Sequence, residues 1–332
     1  MKISDDTSES PTANHAMGQE KNILSSMTQE PVQWVDFNIR DRVDDVITRF
    51  QNKLSGEDEM SLGLSTGFKD LDRILGGLLP GKVFVIGSRP SMGKTALMLN
   101  IADHICIDNK VPTLIFSGDM RSFDIVERLV FSRARFSPGQ ISRGYTPNKG
   151  DLYRIQRAAR ELTTSNLIVD DTPELSIDTL CTRARRAKRE RGIGFIAIDH
   201  LHLLRSNTKQ TKKSHEREVA EVFSGVKSLA KELGVPILVL AQLNGGPERR
   251  KGKRLGIPRM SDLRDASAIE DDADVVGLLY RSAFYAETEE EQELEAGKAK
   301  LIISKNRNGG TGWVPLYFIS ELRSFENGAY IY

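Results

Sequence analysis

Cysteine is nearly missing. The chain has two, Cys106 and Cys181, far apart and in no metal-binding spacing. A disulfide-stapled secreted scaffold and a cysteine-ligated zinc site are therefore excluded, and two thiols in a reducing cytosol are expected. Charge of one sign is missing too. With 47 Lys and Arg against 46 Asp and Glu, the net charge is +1, so attraction to nucleic acid or a membrane surface must come from local clusters. No apolar run reaches the length of a membrane span, and the opening "MKISDDTSESPTANHAMGQEKN" has no apolar centre of the kind a secretory signal needs. No internal repeat is evident. What remains is an ordinary globular composition, 39% hydrophobic and 28% charged over 332 residues, enough for one large domain or two small ones. A soluble cytoplasmic protein is expected.

Residues 1–30 are rich in Ser, Thr, Asp, Glu, Asn and Gln and read as a disordered tail. In the linker region 31–60, Ile39, Val43, Val46, Ile47, Phe50 and Leu54 recur at helical spacing. They predict an amphipathic helix over 38–54 that docks on its own domain or on a neighbouring subunit. From about residue 61 to 332, strand and helix patterns alternate as in an α/β domain. "KVFVIGS", "TLIFS", "NLIVDD", "GFIAIDHLHLL" and "PILVLAQL" read as buried strands, the fourth running past its acid. "DVVGLLY", "AKLIISK" and "WVPLYFI" follow, the last two joined by the turn "NRNGGTG". Helices are expected over "KTALMLNIADHI", "FDIVERLVFSRA", "SIDTLCTRARRAKRERG" with Ser176 as cap, and "EREVAEVFSGVKSLAKELG".

The segment Ser88-Arg89-Pro90-Ser91-Met92-Gly93-Lys94-Thr95-Ala96 joins a strand to a helix, the setting a phosphate-binding loop requires. Backbone N–H groups at such a helix start face phosphate, and the helix dipole favours its charge. Lys94 would reach the β- and γ-phosphates and Thr95 would bind Mg²⁺. The strict pattern wants glycine where Ser88 stands, but that position needs a small side chain more than a positive φ. Gly93 is the residue that lets backbone approach phosphate. A carboxylate for Mg²⁺ is expected at the end of a buried strand. "GFIAID" supplies Asp199, with Asp170 after "NLIV" as the rival.

Taken together, "STGFKDLDRILGGLLPGK", "SRPSMGKTA", "IAIDHLHLL", "LAKELGVPILVLAQLN", "MSDLRDASAIEDDADVV", "YR" at 280–281 and "KNRNGGTG" resemble the C-terminal ATPase domain of DnaB-type replicative helicases over about residues 62–326. The resemblance implies a RecA-like P-loop core: a mostly parallel central sheet flanked by helices, with antiparallel strands at the C-terminal end. It implies an ATP- and Mg²⁺-dependent homo-hexamer that encircles single-stranded DNA, translocates and unwinds duplex in replication. A helicase loader is a candidate partner. Primase docking is not expected, because sixty residues cannot hold the family's N-terminal domain. The 38–54 helix is similar in position to the family's linker helix. By the same resemblance, Asp199 organises Mg²⁺, Gln242 senses the γ-phosphate, and Lys305 and Arg307 act on the neighbour's active site. Asp119 stands for the catalytic glutamate. DNA contact is expected from Arg249, Arg250, Lys251, Arg264, Asp265 and Ser267. The segment 205–217 is a second basic candidate, while "RARRAKRERG" is expected to be an outer helix face and "ETEEEQELE" a mobile surface loop. The basic segments, like the hairpin bearing Lys305 and Arg307, could also be plain solvated surface.

The chain departs from the family in four places. Asp119 follows Gly118 where "L-E" is usual, which sets the carboxylate about 1.5 Å short of a water placed for glutamate. Gly245 replaces an arginine. His200 and His202 replace Tyr and Gln; on a strand they would share a face, but no further metal ligand is visible in sequence. Ser267 replaces a glycine. These changes keep a second reading open: a nucleotide-gated DNA-binding accessory, loader or regulator with weakened ATPase.

Overall fold

The computed structural model describes residues 63–206, 215–250, 252 and 255–328, together with four helical positions at 39, 43, 47 and 48. The chain divides into two units, Met1–Leu54 and Ser55–Tyr332. In the first, the described Ile39, Val43 and Ile47 are exposed. The expected tail lies outside the described residues, as does the rest of the expected helix.

The second unit is built on nine strands: β1 (Val83–Ser88), β2 (Thr113–Ser117), β3 (Leu167–Asp170), β4 (Phe195–Asp199), β5 (Ile237–Gln242), β6 (Val275–Tyr280), β7 (Lys298–Asn306), β8 (Gly312–Ile319) and β9 (Ser324–Asn327). They form one sheet in the order β3-β2-β4-β5-β1-β6-β7-β8-β9. The pairs from β3 to β6 are parallel and those from β6 to β9 antiparallel. Strands β1, β2 and β4 are buried throughout, because helices cover both faces and the sequence answers with unbroken apolar runs. The fold class is the one expected, a RecA-like mostly parallel core with an antiparallel end.

The helices are α1 (Lys69–Leu75), α2 (Lys94–Asp103, continued by a π-turn His104–Asp108), α3 (Ser122–Ala134), α4 (Gly139–Ser142), α5 (Lys149–Thr163), α6 (Ile177–Arg191), α7 (His215–Leu233), α8 (Ala266–Asp272) and α9 (Glu289–Leu294). Helix α7 buries Val219, Val222, Phe223, Val226, Leu229 and Ala230, and Gly234 follows it at φ 61°. Ser176 caps α6 by accepting from Thr179 N at 3.2 Å. The arginines of α6 face outward into ion pairs, Arg185 with Glu232 at 2.7 Å and Arg186 with Glu190 at 2.9 Å.

Two expectations are corrected. "GFIAIDHLHLL" does not run on as a strand: β4 stops at Asp199 and Leu201–Leu203 form a 3₁₀ turn. The acidic "ETEEEQELE" is partly helical, because Thr288 caps α9 by accepting from Glu291 N. Among the described residues no helix is long and apolar enough to cross a membrane.

Candidate nucleotide and DNA site

The loop from Ser88 to Gly93 leaves the carboxyl end of β1 and enters α2. Ser88 is the last strand residue, fully buried, and its hydroxyl donates to Arg89 O at 2.9 Å. Its backbone is extended, so glycine is not required there. Ser91 stands at φ 64° and Gly93 at φ 96°. A Cβ on Gly93 would lie 3.0 Å from Phe325 Cε2 and 3.4 Å from Phe318 Cε2, two rings 4.7 Å apart. Position 93 therefore excludes a side chain both by conformation and by its aromatic neighbours. Met92 is buried, which pins the loop, and Arg89 reaches away to Glu248 at 2.8 Å and Leu243 O at 2.9 Å. Lys94, Thr95 and Ala96 form the first turn of α2, a ten-residue helix whose N-terminal amides have no capping side chain among the described residues.

Thr95 Oγ1 donates to Asp199 Oδ2 at 2.7 Å. Asp199 is buried, and its Oδ1 has no hydrogen-bond partner among the described residues; the His200 Nδ1 ring nitrogen is 3.9 Å away. Burial pushes the Asp199 pKa up, against the pull of the Thr95 hydrogen bond and the Lys94 charge. A hydroxyl beside a buried carboxylate with one unused oxygen suits a hard divalent cation. Mg²⁺ is commonly held by one or two protein oxygens, with substrate phosphates and water completing the shell. No group of three or more His, Cys, Asp or Glu that could hold a metal occurs among the described residues. The rival Asp170 is spoken for: it accepts from Arg183 at 2.6 Å and from the Thr172 hydroxyl at 2.7 Å.

Asp119 is exposed just past β2, and its charge acts on Asp199, His200 and Arg128. Gly118 donates to Asp199 O at 2.8 Å, and a Cβ there would lie 2.8 Å from Leu203 Cδ1. Arg128 on α3, which the sequence reading did not single out, is near enough to feel the charge of these acids. Burial and the like charge of Arg323 push its pKa down, while Asp199, Asp124 and Asp119 draw it up. Nothing in the sequence marks it, since it stands nearly two helical turns into α3, well past the end of β2.

Gln242 ends β5 in register with Ser88, and its carbonyl accepts from Arg264 N at 2.9 Å. A bridge between Leu243 and Leu263 holds the 263–267 segment against β5. Arg249 and Arg264 are exposed. Arg250 is not open in the same way: its guanidinium is bidentate on buried Asp262, at 2.6 and 2.8 Å, and also donates to Ile257 O at 2.7 Å. Ser267 lies in the first turn of α8 and donates to Glu216. Asp265 is the residue before α8, at φ 57°, with its carboxylate 3.4 Å from His202 Nε2. Lys251 lies outside the described residues, as do Lys209, Lys212, Lys213, Lys253 and Arg254. At Gly245 a Cβ would meet nothing within 4 Å, so an arginine is not sterically barred there.

Lys305 and Arg307 are not brought to this site. Lys305 pairs with Val276 and Arg307 N donates to Asp274 O, at the amino edge of the parallel strands. The phosphate loop leaves the opposite edge. Six strand residues separate the two levels, about 20 Å at the rise of a parallel strand. The Lys305 ammonium donates to Glu270 O and the Arg307 guanidinium to Asp271 O, the last carbonyls of α8. Burial, together with Arg307, lowers the Lys305 pKa.

Comparison with known proteins adds to this geometry. Residues 63–327 match the model of the DnaB-like helicase C terminal domain. The chain is 35% identical over 275 residues to the replicative DNA helicase DnaB of Geobacillus stearothermophilus, covering 82% of this chain and 58% of that protein. It is 36% identical over 266 residues to the replicative DNA helicase DnaC of Bacillus subtilis (strain 168), covering 80% and 56%. It thus spans less than two thirds of these curated relatives. Among solved structures, one described as an ATPase domain superposes with a TM-score of 0.75 at 29% identity, over 86% of this chain and 98% of that one. A DnaB-like replicative helicase, described with its interactions with primase, superposes with a TM-score of 0.73 at 27% identity, over 95% and 72%. With the family model matching residues 63–327, well over half of the chain, the chain belongs to the DnaB-like helicase C-terminal domain family.

Proposed function

We propose that this domain binds ATP with Mg²⁺ at the head of α2, hydrolyses it, and as a homo-hexameric ring converts that hydrolysis into movement along single-stranded DNA and duplex unwinding in replication. The observation that carries the reading is the meeting of Thr95 and Asp199 beneath Gly93 and Lys94, with Asp119 alongside and Gln242 one strand over. The amides of residues 93–95 and Lys94 would cradle the phosphates. Thr95 and Asp199 would hold Mg²⁺, which would neutralise phosphate charge. Asp119 would orient the attacking water and Gln242 would sense the γ-phosphate. Lys305 and Arg307 face away from their own phosphate loop, so in this reading they complete the site of the next copy. Arg249 and Arg264, with Lys251, would meet the DNA backbone without reading sequence. Arg250, held by Asp262, braces that loop instead. A helicase loader would act on the ring, and such a motor works in the cytoplasm.

The shorter Asp119 favours a second reading, a nucleotide-gated DNA-binding accessory with slow turnover. Steady-state ATP hydrolysis with and without oligo(dT) at low salt separates the two. The motor predicts a DNA-stimulated rate that is lost in Lys94→Ala. ATP binding with no stimulated hydrolysis points to the accessory, and no binding of ATP rejects both.

A further inference from the structure

Two adjacent residues of the turn after β4, His202 and Leu203, touch different parts of the molecule. Strand β4 ends on Asp199, and the 3₁₀ turn Leu201–Leu203 follows after one residue. The Leu203 side chain sits where a Cβ on Gly118 would be, 2.8 Å from that point, so it touches the backbone immediately before Asp119. The neighbouring His202 ring lies against Asp265. Its Nε2 lies 3.4 Å from Asp265 Oδ2, with side-chain exposures of 5% and 11%.

Asp265 is unusual for its position. Aspartate is among the preferred helix caps, yet Asp265 directly precedes α8 and makes no side-chain capping bond. It stands in the left-handed region, at φ 57° and ψ 44°. A non-glycine residue there needs its surroundings to hold it. Its carboxylate is turned to His202. On one side, Arg264 N is tied to Gln242 O at 2.9 Å. On the other, α8 runs seven residues and offers its last carbonyls to Lys305 and Arg307.

We propose that the His202–Asp265 contact is the positioning element that couples the nucleotide site at Asp199 and Asp119 to the single-strand-facing loop at Arg264, and through α8 to Lys305 and Arg307. The turn is three residues long and is wedged at Leu203 and braced at His202. A displacement of the β4 end therefore cannot be absorbed locally in a close-packed interior; it is passed to Asp265 or it breaks the contact. Because α8 is short, a shift at its first residue reaches its last carbonyls. His202 acts through Asp265 and is not itself catalytic.

The proposal rests on the motor reading, and its test separates the two. Full-length wild type, His202→Ala, His202→Gln, Asp265→Asn and the His202→Ala/Asp265→Asn double variant are compared. Two quantities are read: the fold-stimulation of ATP hydrolysis by oligo(dT), and the ratio of oligo(dT) dissociation constants with ADP and with a non-hydrolysable ATP analogue. Coupling is reciprocal, so both quantities must move together. His202→Ala should keep its DNA-free rate within about twofold and lose about five- to tenfold in each ratio, the range of a typical coupling. His202→Gln, whose amide N–H can approach Asp265 from the same position, should restore most of both. The double variant should be no worse than the worse single one. Unchanged ratios in His202→Ala, losses that multiply in the double variant, or parallel loss of basal rate and melting temperature with no rescue by glutamine would each overturn the linkage while leaving the motor intact. A wild type with no DNA stimulation and no nucleotide-dependent DNA affinity overturns the motor and the linkage together.

Discussion

Lengthening one side chain at the strand end tests the hydrolytic part of the account. Asp119 is exposed beyond β2, so Asp119→Glu adds a methylene without displacing packed atoms, and stability should change by no more than about 0.5 kcal/mol. The carboxylate advances by about 1.5 Å. Since an error of about 1 Å in the placement of a reacting group can cost on the order of a hundredfold, the DNA-stimulated kcat should rise by about ten- to a hundredfold with little change in KM. The neighbouring residue should behave in the opposite way. Gly118→Leu, which would complete the family's usual pair, puts a Cβ 2.8 Å from Leu203 Cδ1 and 3.1 Å from Leu203 Cβ. Overpacking of that kind costs about 1–3 kcal/mol, so both Gly118→Leu and the Gly118→Leu/Asp119→Glu double variant should melt lower than wild type. Single-turnover and steady-state hydrolysis with oligo(dT), alongside thermal melts, give both readings. An Asp119→Glu enzyme no faster than wild type would remove water placement as the limiting role of this carboxylate. A double variant as stable as wild type would refute the packing argument at Gly118.

Two other consequences are open to measurement. Gly93→Ala adds a Cβ at φ 96°, 3.0 Å from Phe325, and should weaken ATP binding in calorimetry at least about tenfold, with about 1–3 kcal/mol of lost stability. Asp103 is half-buried beside Arg133 at 2.8 Å, and desolvation outweighs the arginine and raises its pKa to about 6. The folded state therefore binds the Asp103 proton more tightly than the unfolded state. The stabilisation that follows is complete below about pH 3.8 and fades as pH rises through 6. The stability of wild type relative to Asp103→Asn should accordingly grow by about 1 kcal/mol from pH 7 to pH 5, as read from paired urea titrations.

Much of the parallel sheet could be read in advance because both its faces are buried, and a strand in that setting writes itself as an apolar run ending at a functional residue. "KVFVIGS" and "GFIAID" are such runs. The end of β4 was not legible in the same way. "DHLHLL" alternates like a strand, and the 3₁₀ turn there is set by tertiary contacts, Leu203 against Gly118 and His202 toward Asp265, which no local pattern encodes. Helix α5 did carry a local signal: Asn148 and Asp151 form a reciprocal capping box at its start. The membership of the site divides along the same line. Lys94, Thr95 and Asp199 are neighbours of chain elements with strong signatures. The commitment of Arg250 to Asp262, and the approach of Arg128 to the two strand-end acids, depend on how distant segments meet. The separation of Lys305 and Arg307 from their own phosphate loop could be anticipated only from strand direction, since an antiparallel β7 returns its C-terminal end to the amino edge.

Mixing two inactive forms addresses the central claim most directly. Lys94→Ala lacks the phosphate cation but keeps Arg307, whereas Arg307→Ala keeps the phosphate loop but cannot complete a neighbour. Each alone should show little DNA-stimulated hydrolysis. Mixed in equal amounts under conditions that allow subunits to exchange, they should regain a substantial fraction of the wild-type rate, because some interfaces pair an intact loop with an intact arginine. Hydrolysis by Arg307→Ala alone at the wild-type rate, or no recovery in a mixture shown to form mixed assemblies, would contradict a site shared between adjacent copies.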